Sequence, residues 1–343
     1  MDSLDLVPVR EHDGSIAAQL SEWSCVCSPA VGESLLTLET PDGRELAFAR
    51  WGDTDGFPVL TLHGTPGCRL ERWPDEELYR RLGILLVTHD RAGYGRSTRR
   101  PGRRVVDEVD DVVALADHLG LERFGVTGGS GGGPLSLACA ALLPDRVVRA
   151  TCVVGVAPLG KPGLDQESWL AGMDPENVKE FDWAVAGEDV LMRELEAEHA
   201  KIAARVAADP ASLLDNFELS ESDRSELARR ETMQVIRESW AEHSTRGVGG
   251  WADDDLAHVQ PWGFDLDRIS IPVLVWYGAT DVLVPPAHGD WLAAHVPGCV
   301  VKIDDEAGHM GADPEKQIAE NMRWLREGTP PDGSSQTAGS TAR

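Results

Sequence analysis

The stretch Val126-Thr127-Gly128-Gly129-Ser130-Gly131-Gly132-Gly133-Pro134 decides how the rest of this chain is read. It fits G-x-S-x-G. It stands between a strand-like run, 124–129, and a segment of small residues that reads as a helix to about Leu143. That is the strand–turn–helix setting in which a serine is pushed out of a sharp turn as a nucleophile. Gly128 and Gly132 leave room for strand and helix to approach closely. The N-terminus of the helix favours developing negative charge. A glycine-rich loop cradling phosphate is the competing reading. These residues offer it neither a Walker lysine nor an acidic ribose partner at the right distance, so the hydrolytic reading leads.

A serine nucleophile needs a base, and the base needs an orienting acid. Asp281 stands in WYGATDVLVPP, just past the apolar run 271–278. His309 stands in DEAGHMG, just past the run 299–305. Loops at the carboxyl ends of parallel strands are where such sheets assemble their sites. The order Ser130, Asp281, His309 is the one expected behind a nucleophile elbow. Asp304 and Asp305 are alternative acids, but they precede His309 too closely. An oxyanion hole is the third requirement. Leu62-His63-Gly64-Thr65-Pro66-Gly67 follows the run that starts at Pro58, so the backbone N–H of Thr65, with that of Gly131, is the candidate pair of donors. Pro66 has no N–H to offer. His63 reads as structural, its ring bonding to nearby backbone.

Outward from these motifs, strand-like and helical segments alternate. Runs 34–40 and 45–51 flank the turn Pro41-Asp42-Gly43 and read as a hairpin. Runs 58–64 and 84–90 are continuously apolar, as buried parallel strands are. Segment 105–119 has helical spacing, 146–156 is another strand, and helices are expected at 286–296 and 314–326. From Ala157 to Phe264 the chain is charged and helical, with Leu191, Leu195, Ile202 and Val206 on one face. There Ser220 reads as an N-cap, with Asp223 three residues on. Such alternation implies a mostly parallel sheet covered on both faces.

The chain has 343 residues and a net charge of −26. So acidic a surface repels phosphate backbones and anionic lipid, which excludes nucleic acid and membranes as expected partners. Arg99, Arg100, Arg103 and Arg104 form the densest basic patch and read as a solvated loop. The N-terminus lacks a secretory h-region, and no run reaches transmembrane length. The six cysteines have neither C-x-x-C nor metal spacing. A cytoplasmic protein with buried, inert thiols, no metal and no cofactor is expected. Ile16, Leu20, Trp23 and Cys27 suit a short amphipathic helix, and the Gly/Ser/Pro-rich tail 328–343 reads as disordered.

The motif set H-G-x-P-G (His63 to Gly67), D-R-x-G-x-G-x-S (Asp90 to Ser97) and G-x-S-x-G (Gly128 to Gly132) resembles the α/β-hydrolase superfamily. Within it, the set is similar to the branch of carboxylesterases and proline iminopeptidases. The resemblance implies a mostly parallel, eight-stranded α/β sheet. The core would span 31–156 and 264–327, after an extension at 1–30, with a helical lid inserted at 157–263. It implies Ser130 as nucleophile, Asp281 as acid, His309 as base, and Thr65 and Gly131 as oxyanion donors. The D-R-x-G-x-G-x-S loop would be a packing and turn element. The implied activity is hydrolysis of a small-molecule ester, or of an amide by an aminopeptidase. A non-hydrolytic lyase or ligand-binding member of the fold is a third possibility. Two positions depart from the peptidase pattern: those enzymes carry glycine where Thr65 stands and an aromatic residue where Gly131 stands. Ser130 also separates the chain from relatives that use an aspartate nucleophile.

Overall fold

The structure, a computed structural model, describes residues 35–209, 212–213 and 215–337. The expected helix over Ile16–Cys27 lies outside these residues. The strands are β1 (Leu36–Glu39), β2 (Glu45–Gly52), β3 (Phe57–Leu62), β4 (Ile84–His89), β5 (Phe124–Gly129), β6 (Val147–Val153), β7 (Val273–Gly278), β8 (Val300–Asp304) and β9 (Ser335–Gln336). They form one sheet in the order β1-β2-β4-β3-β5-β6-β7-β8-β9. β1 and β2 are antiparallel, β2 is antiparallel to β4, and β4 through β8 run parallel.

The central strands β4 and β7 are buried along their whole length because both faces are covered. In β7, Val273, Val275 and Tyr277 point into one core, and Leu274 and Trp276 into the other. The first core holds the inner faces of α2 (Glu108–His118), α3 (Gly133–Leu142) and α10 (Pro286–His295). The second holds α1 (Glu76–Arg81) and α11 (Pro314–Glu327). The short helix α1 was not anticipated.

Between β6 and β7 the chain forms α4 (Gln166–Leu170), α5 (Pro175–Ala186), α6 (Glu188–Ala208), α7 (Glu221–Leu227), α8 (Arg230–His243) and α9 (Gly249–Val259). This segment has its own small core, with Leu191, Leu195, Trp251 and Leu256 packed on Tyr94. Trp169 and Trp251 are buried anchors whose indole N–H groups donate to Ala157 O and Glu180 Oε1.

Three expectations need correction. Among the described residues the sheet has nine strands, one more than the eight expected. The tail expected to lack structure supplies β9, which pairs antiparallel with Val300 and Val301. The cause is the edge of β8, whose outward N–H and C=O groups need partners, and Thr337 N–H continues the pairing by donating to Cys299 O. The basic patch is not simply a solvated loop. Arg99 pairs with the buried Asp253, and Arg103 is itself buried against Asp254. Cys68, Cys139, Cys152 and Cys299 are buried free thiols, and burial pushes the Cys152 thiol up to about 12. Among the described residues, no helix is long and apolar enough to cross a membrane.

Candidate active site

Ser130 sits at the carboxyl end of β5, in the turn that leads into α3. Its φ of 53° is left-handed, a conformation that costs a non-glycine residue about 1–2 kcal/mol. The turn is forced by crowding on both sides. A Cβ on Gly128 would run into the Gly132 carbonyl, and one on Gly132 into the carbonyl of Leu62 on the adjacent strand. The two glycines let helix and strand close, and the serine between them is turned outward and left half-buried.

Asp281 and His309 come together from the loops after β7 and β8. His309 Nδ1 donates to Asp281 Oδ2 at 2.8 Å. Asp281 Oδ1 accepts from the N–H groups of Leu283 and Val284, which fixes the buried carboxylate. With the proton on Nδ1, His309 presents Nε2 as a lone pair. Burial alone would lower the His309 pKa, but the Asp281 charge and hydrogen bond outweigh it, and the pKa is raised. Asp304 and Asp305 do not take this place. Ser130 Oγ forms no hydrogen bond to the described residues, so the link from serine to histidine is open. Such bonds commonly tighten only when substrate is present.

Thr65 follows β3, beside the elbow. Its N–H donates to no acceptor among the described residues. The ring of His63 is structural: Nδ1 donates to Gly64 O at 2.8 Å and Nε2 accepts from the Arg91 N–H at 3.2 Å. Burial, then the Arg91 charge, holds its pKa well below the usual histidine range, so it stays neutral. In the D-R-x-G-x-G-x-S loop, Asp90 accepts from the N–H groups of Arg69 and Arg96, and Ser97 Oγ donates to Asp90 O. Arg91 does more than pack. Its guanidinium donates to the carbonyls of His63 and Gly64 and pairs with Asp254.

The motifs did not reveal several residues that hold this site. Asp223 and Ser222, on α7, grip the loop that carries His309. Gly308 N–H donates to Ser222 Oγ at 2.7 Å, His309 N–H to Asp223 Oδ2 at 3.0 Å, and Met310 N–H to Asp223 Oδ1 at 2.8 Å. Ser220 is the N-cap, accepting from Asp223 N–H and donating to Asp223 Oδ2 at 2.8 Å, and the Asp223 carboxylate also holds the histidine loop. Glu71 Oε2 accepts from Gly64 N–H at 3.1 Å, and Ser239 Oγ on α8 donates to Glu71 Oε1 at 3.0 Å. Burial raises the Glu71 pKa. A cap motif pointed to Asp223, but no sequence pattern pointed to Glu71, Asp254 or His258. Asp223→Ala would orphan the N–H groups of His309 and Met310. The expected result is a loss of about 1–3 kcal/mol of stability in chemical denaturation. A roughly tenfold or greater fall in kcat/KM on an ester substrate is also expected, as His309 loses its fixed position.

Among the described residues, no group of three or more His, Cys, Asp or Glu side chains is arranged to hold a metal ion. The chain is 28% identical to a non-heme chloroperoxidase from Streptomyces lividans over 73% of its own length and 84% of that protein. It is 28% identical to a proline iminopeptidase from Neisseria meningitidis, covering 81% of this chain and 90% of the other. A bifunctional esterase/perhydrolase from Acinetobacter calcoaceticus is 27% identical, over 72% and 82% of the two chains. Residues 58–315 match the family described as the alpha/beta hydrolase fold. With the elbow, the sheet order and this match taken together, the chain belongs to the α/β-hydrolase fold family.

Proposed function

We propose that this hydrolase cleaves a small-molecule carboxylic ester by acyl transfer to water, with Ser130, His309 and Asp281 as its triad. The observation that carries the reading is the His309–Asp281 pair, set in the tautomer that leaves Nε2 free, in a fold whose strained elbow presents Ser130. His309 Nε2 takes the Ser130 proton as Oγ bonds to the ester carbon. The N–H groups of Thr65 and Gly131 receive the developing oxyanion. Collapse of the tetrahedral adduct breaks the bond to the alkoxy group, which leaves as the alcohol with the proton from His309. Water then attacks the acyl-serine and gives its proton to His309. The acid departs as Ser130 is reprotonated. The helices between β6 and β7 act as the lid over this chemistry.

The relative named as a proline iminopeptidase favours a second reading, an aminopeptidase. Two features weigh against it. A Cβ on Gly131 would come within 2.8 Å of Thr65 Cβ and 2.9 Å of His258 Cε1, so the aromatic residue of those enzymes does not fit here. Of five lid carboxylates that could hold a free amine, Glu180 is bonded to Trp251, Asp182 and Glu196 are exposed, Glu194 pairs with Arg193, and Glu198 pairs with Lys201.

Incubation with a mixed ester panel, followed by mass spectrometry of the intact protein and its peptides, tests the proposal. The expected outcome is an acyl adduct on the Ser130 peptide, with a short acyl ester hydrolysed far faster than a proline arylamide. The reverse preference moves the assignment to the aminopeptidase, and an adduct elsewhere removes Ser130 as nucleophile.

A further inference from the structure

Asp254 and His258 stand one helical turn apart on α9, and each reaches one residue of the oxyanion hole. Thr65 Oγ1 donates to Asp254 Oδ2 at 2.7 Å, and His258 Nε2 donates to the Gly131 carbonyl at 3.0 Å. Residues at i and i+4 share a helix face, so one face of one helix meets both halves of the hole. We propose that α9 sets the oxyanion hole, with Asp254 and Arg91 as positioning residues for the Thr65 N–H and His258 as the positioning residue for Gly131. This inference rests on the assignment of Thr65 and Gly131 as the oxyanion donors.

The Thr65 half follows from peptide geometry. The N–H of Thr65 belongs to the same trans peptide as the carbonyl of Gly64, and the two point in opposite directions. That carbonyl is held from behind by His63 Nδ1 at 2.8 Å and Arg91 Nη2 at 3.2 Å. Holding it aims the N–H the other way and leaves it without a protein acceptor. Arg91 is fixed in turn, because Asp254 pairs with it and also accepts from Tyr94 OH at 2.7 Å. Arg103 lies on the other carboxylate oxygen, at 2.6 Å. The two guanidinium charges outweigh burial and hold the Asp254 carboxyl far below the usual carboxylate range, so the anchor stays charged.

The Gly131 half is steric as well as polar. Thr65 and His258 flank its α-carbon, which is why no side chain fits there. A carbonyl only accepts, so His258 Nε2 carries the proton. Burial lowers the His258 pKa and keeps the ring neutral. The Gly131 N–H belongs to the Ser130–Gly131 peptide, whose carbonyl accepts from the Gly133 N–H, and His258 fixes the peptide on the other side of Gly131, so both donors are set before substrate arrives, the condition under which an oxyanion hole works best. Asp254 and His258 lie in the segment between β6 and β7, so this helix shapes the chemistry itself as well as covering it.

Asp254→Asn would strand two buried arginines, so the test uses variants that leave no charge unpaired. Thr65→Val keeps the shape and the N–H of Thr65 but removes its links to both Asp254 and Arg91. His258→Leu removes the donor to Gly131, and His258→Gln restores one. The measurements are kcat and KM on a short p-nitrophenyl ester, inhibition by an aryl trifluoromethyl ketone whose serine adduct carries an oxyanion, and thermal melting. The expected result for Thr65→Val and His258→Leu is a kcat lower by about ten- to hundredfold, with KM within about threefold and the ketone weakened in parallel. His258→Gln should recover to within about threefold of the parent protein. Folded variants with unchanged kcat and ketone affinity would overturn the role of α9, as would a His258→Leu loss that His258→Gln does not recover. Turnover in Ser130→Ala within about tenfold of the parent protein overturns the functional reading itself, and this inference with it.

Discussion

Replacing Ser130 by alanine is expected to lower kcat on an activated ester by about 10⁴-fold or more and to abolish labelling by a fluorophosphonate. The size of the effect follows from how the site is built. In the proposed mechanism the strained elbow, His309 and the Thr65 and Gly131 N–H groups all act through the Ser130 oxygen. What survives in the variant is the contribution of the hole and of binding, which still accelerates attack by water to a small extent. Alanine keeps the backbone turn, and losing a half-exposed hydroxyl that makes no hydrogen bond to the described residues leaves stability nearly unchanged. Kinetics and thermal melting of one preparation check both statements. Turnover within tenfold of the parent protein would remove Ser130 from the mechanism.

Asp281→Asn is expected to have the second largest effect, a fall of about 10⁴-fold in kcat at neutral pH. The amide can present an N–H to His309 Nδ1 and so favour the opposite tautomer, with the proton on Nε2 and no lone pair facing the serine. The pH profile carries a separate signature. His309 must be neutral to accept a proton, and the Asp281 charge raises its pKa above the usual value of 6.5. In the parent protein, kcat/KM should therefore fall as pH drops through a midpoint above 6.5. In the variant that acid limb should move to lower pH. The effect on stability runs the other way. A histidine whose folded pKa exceeds its unfolded value adds stability below the unfolded pKa, and that contribution is lost as pH rises through the folded pKa. Denaturation of the parent protein at pH 6 and pH 8 should show this loss, and Asp281→Asn should not. An unshifted acid limb in the variant would mean that another group controls it.

The motifs with a local cause were legible in the chain. The spacing of Gly128, Ser130 and Gly132 reflects contacts made within one turn, and the apolar runs that became β3, β4, β5 and β7 are continuous because helices cover both faces. The limits of the reading appear where a side chain is spent on a distant partner. Asp223 looked like part of a local helix cap, yet its carboxylate holds a loop 86 residues away. Arg103 looked like a solvated charge, yet it lies buried on Asp254. The tail looked unstructured by composition, yet the open edge of β8 draws it into the sheet.

By itself, then, the amino-acid sequence determined the family, the sheet and the order of the three candidate catalytic side chains. Each of these is set by residues adjacent in the chain or by a period along it. Only the tertiary structure decided which acid meets His309, which tautomers His63 and His309 adopt, and that one face of α9 reaches both Thr65 and Gly131. These depend on hydrogen bonds between segments as much as 189 residues apart, from Thr65 to Asp254. No local pattern of side chains encodes such a pairing. It arises because burial leaves each polar group only the partners that packing brings within reach.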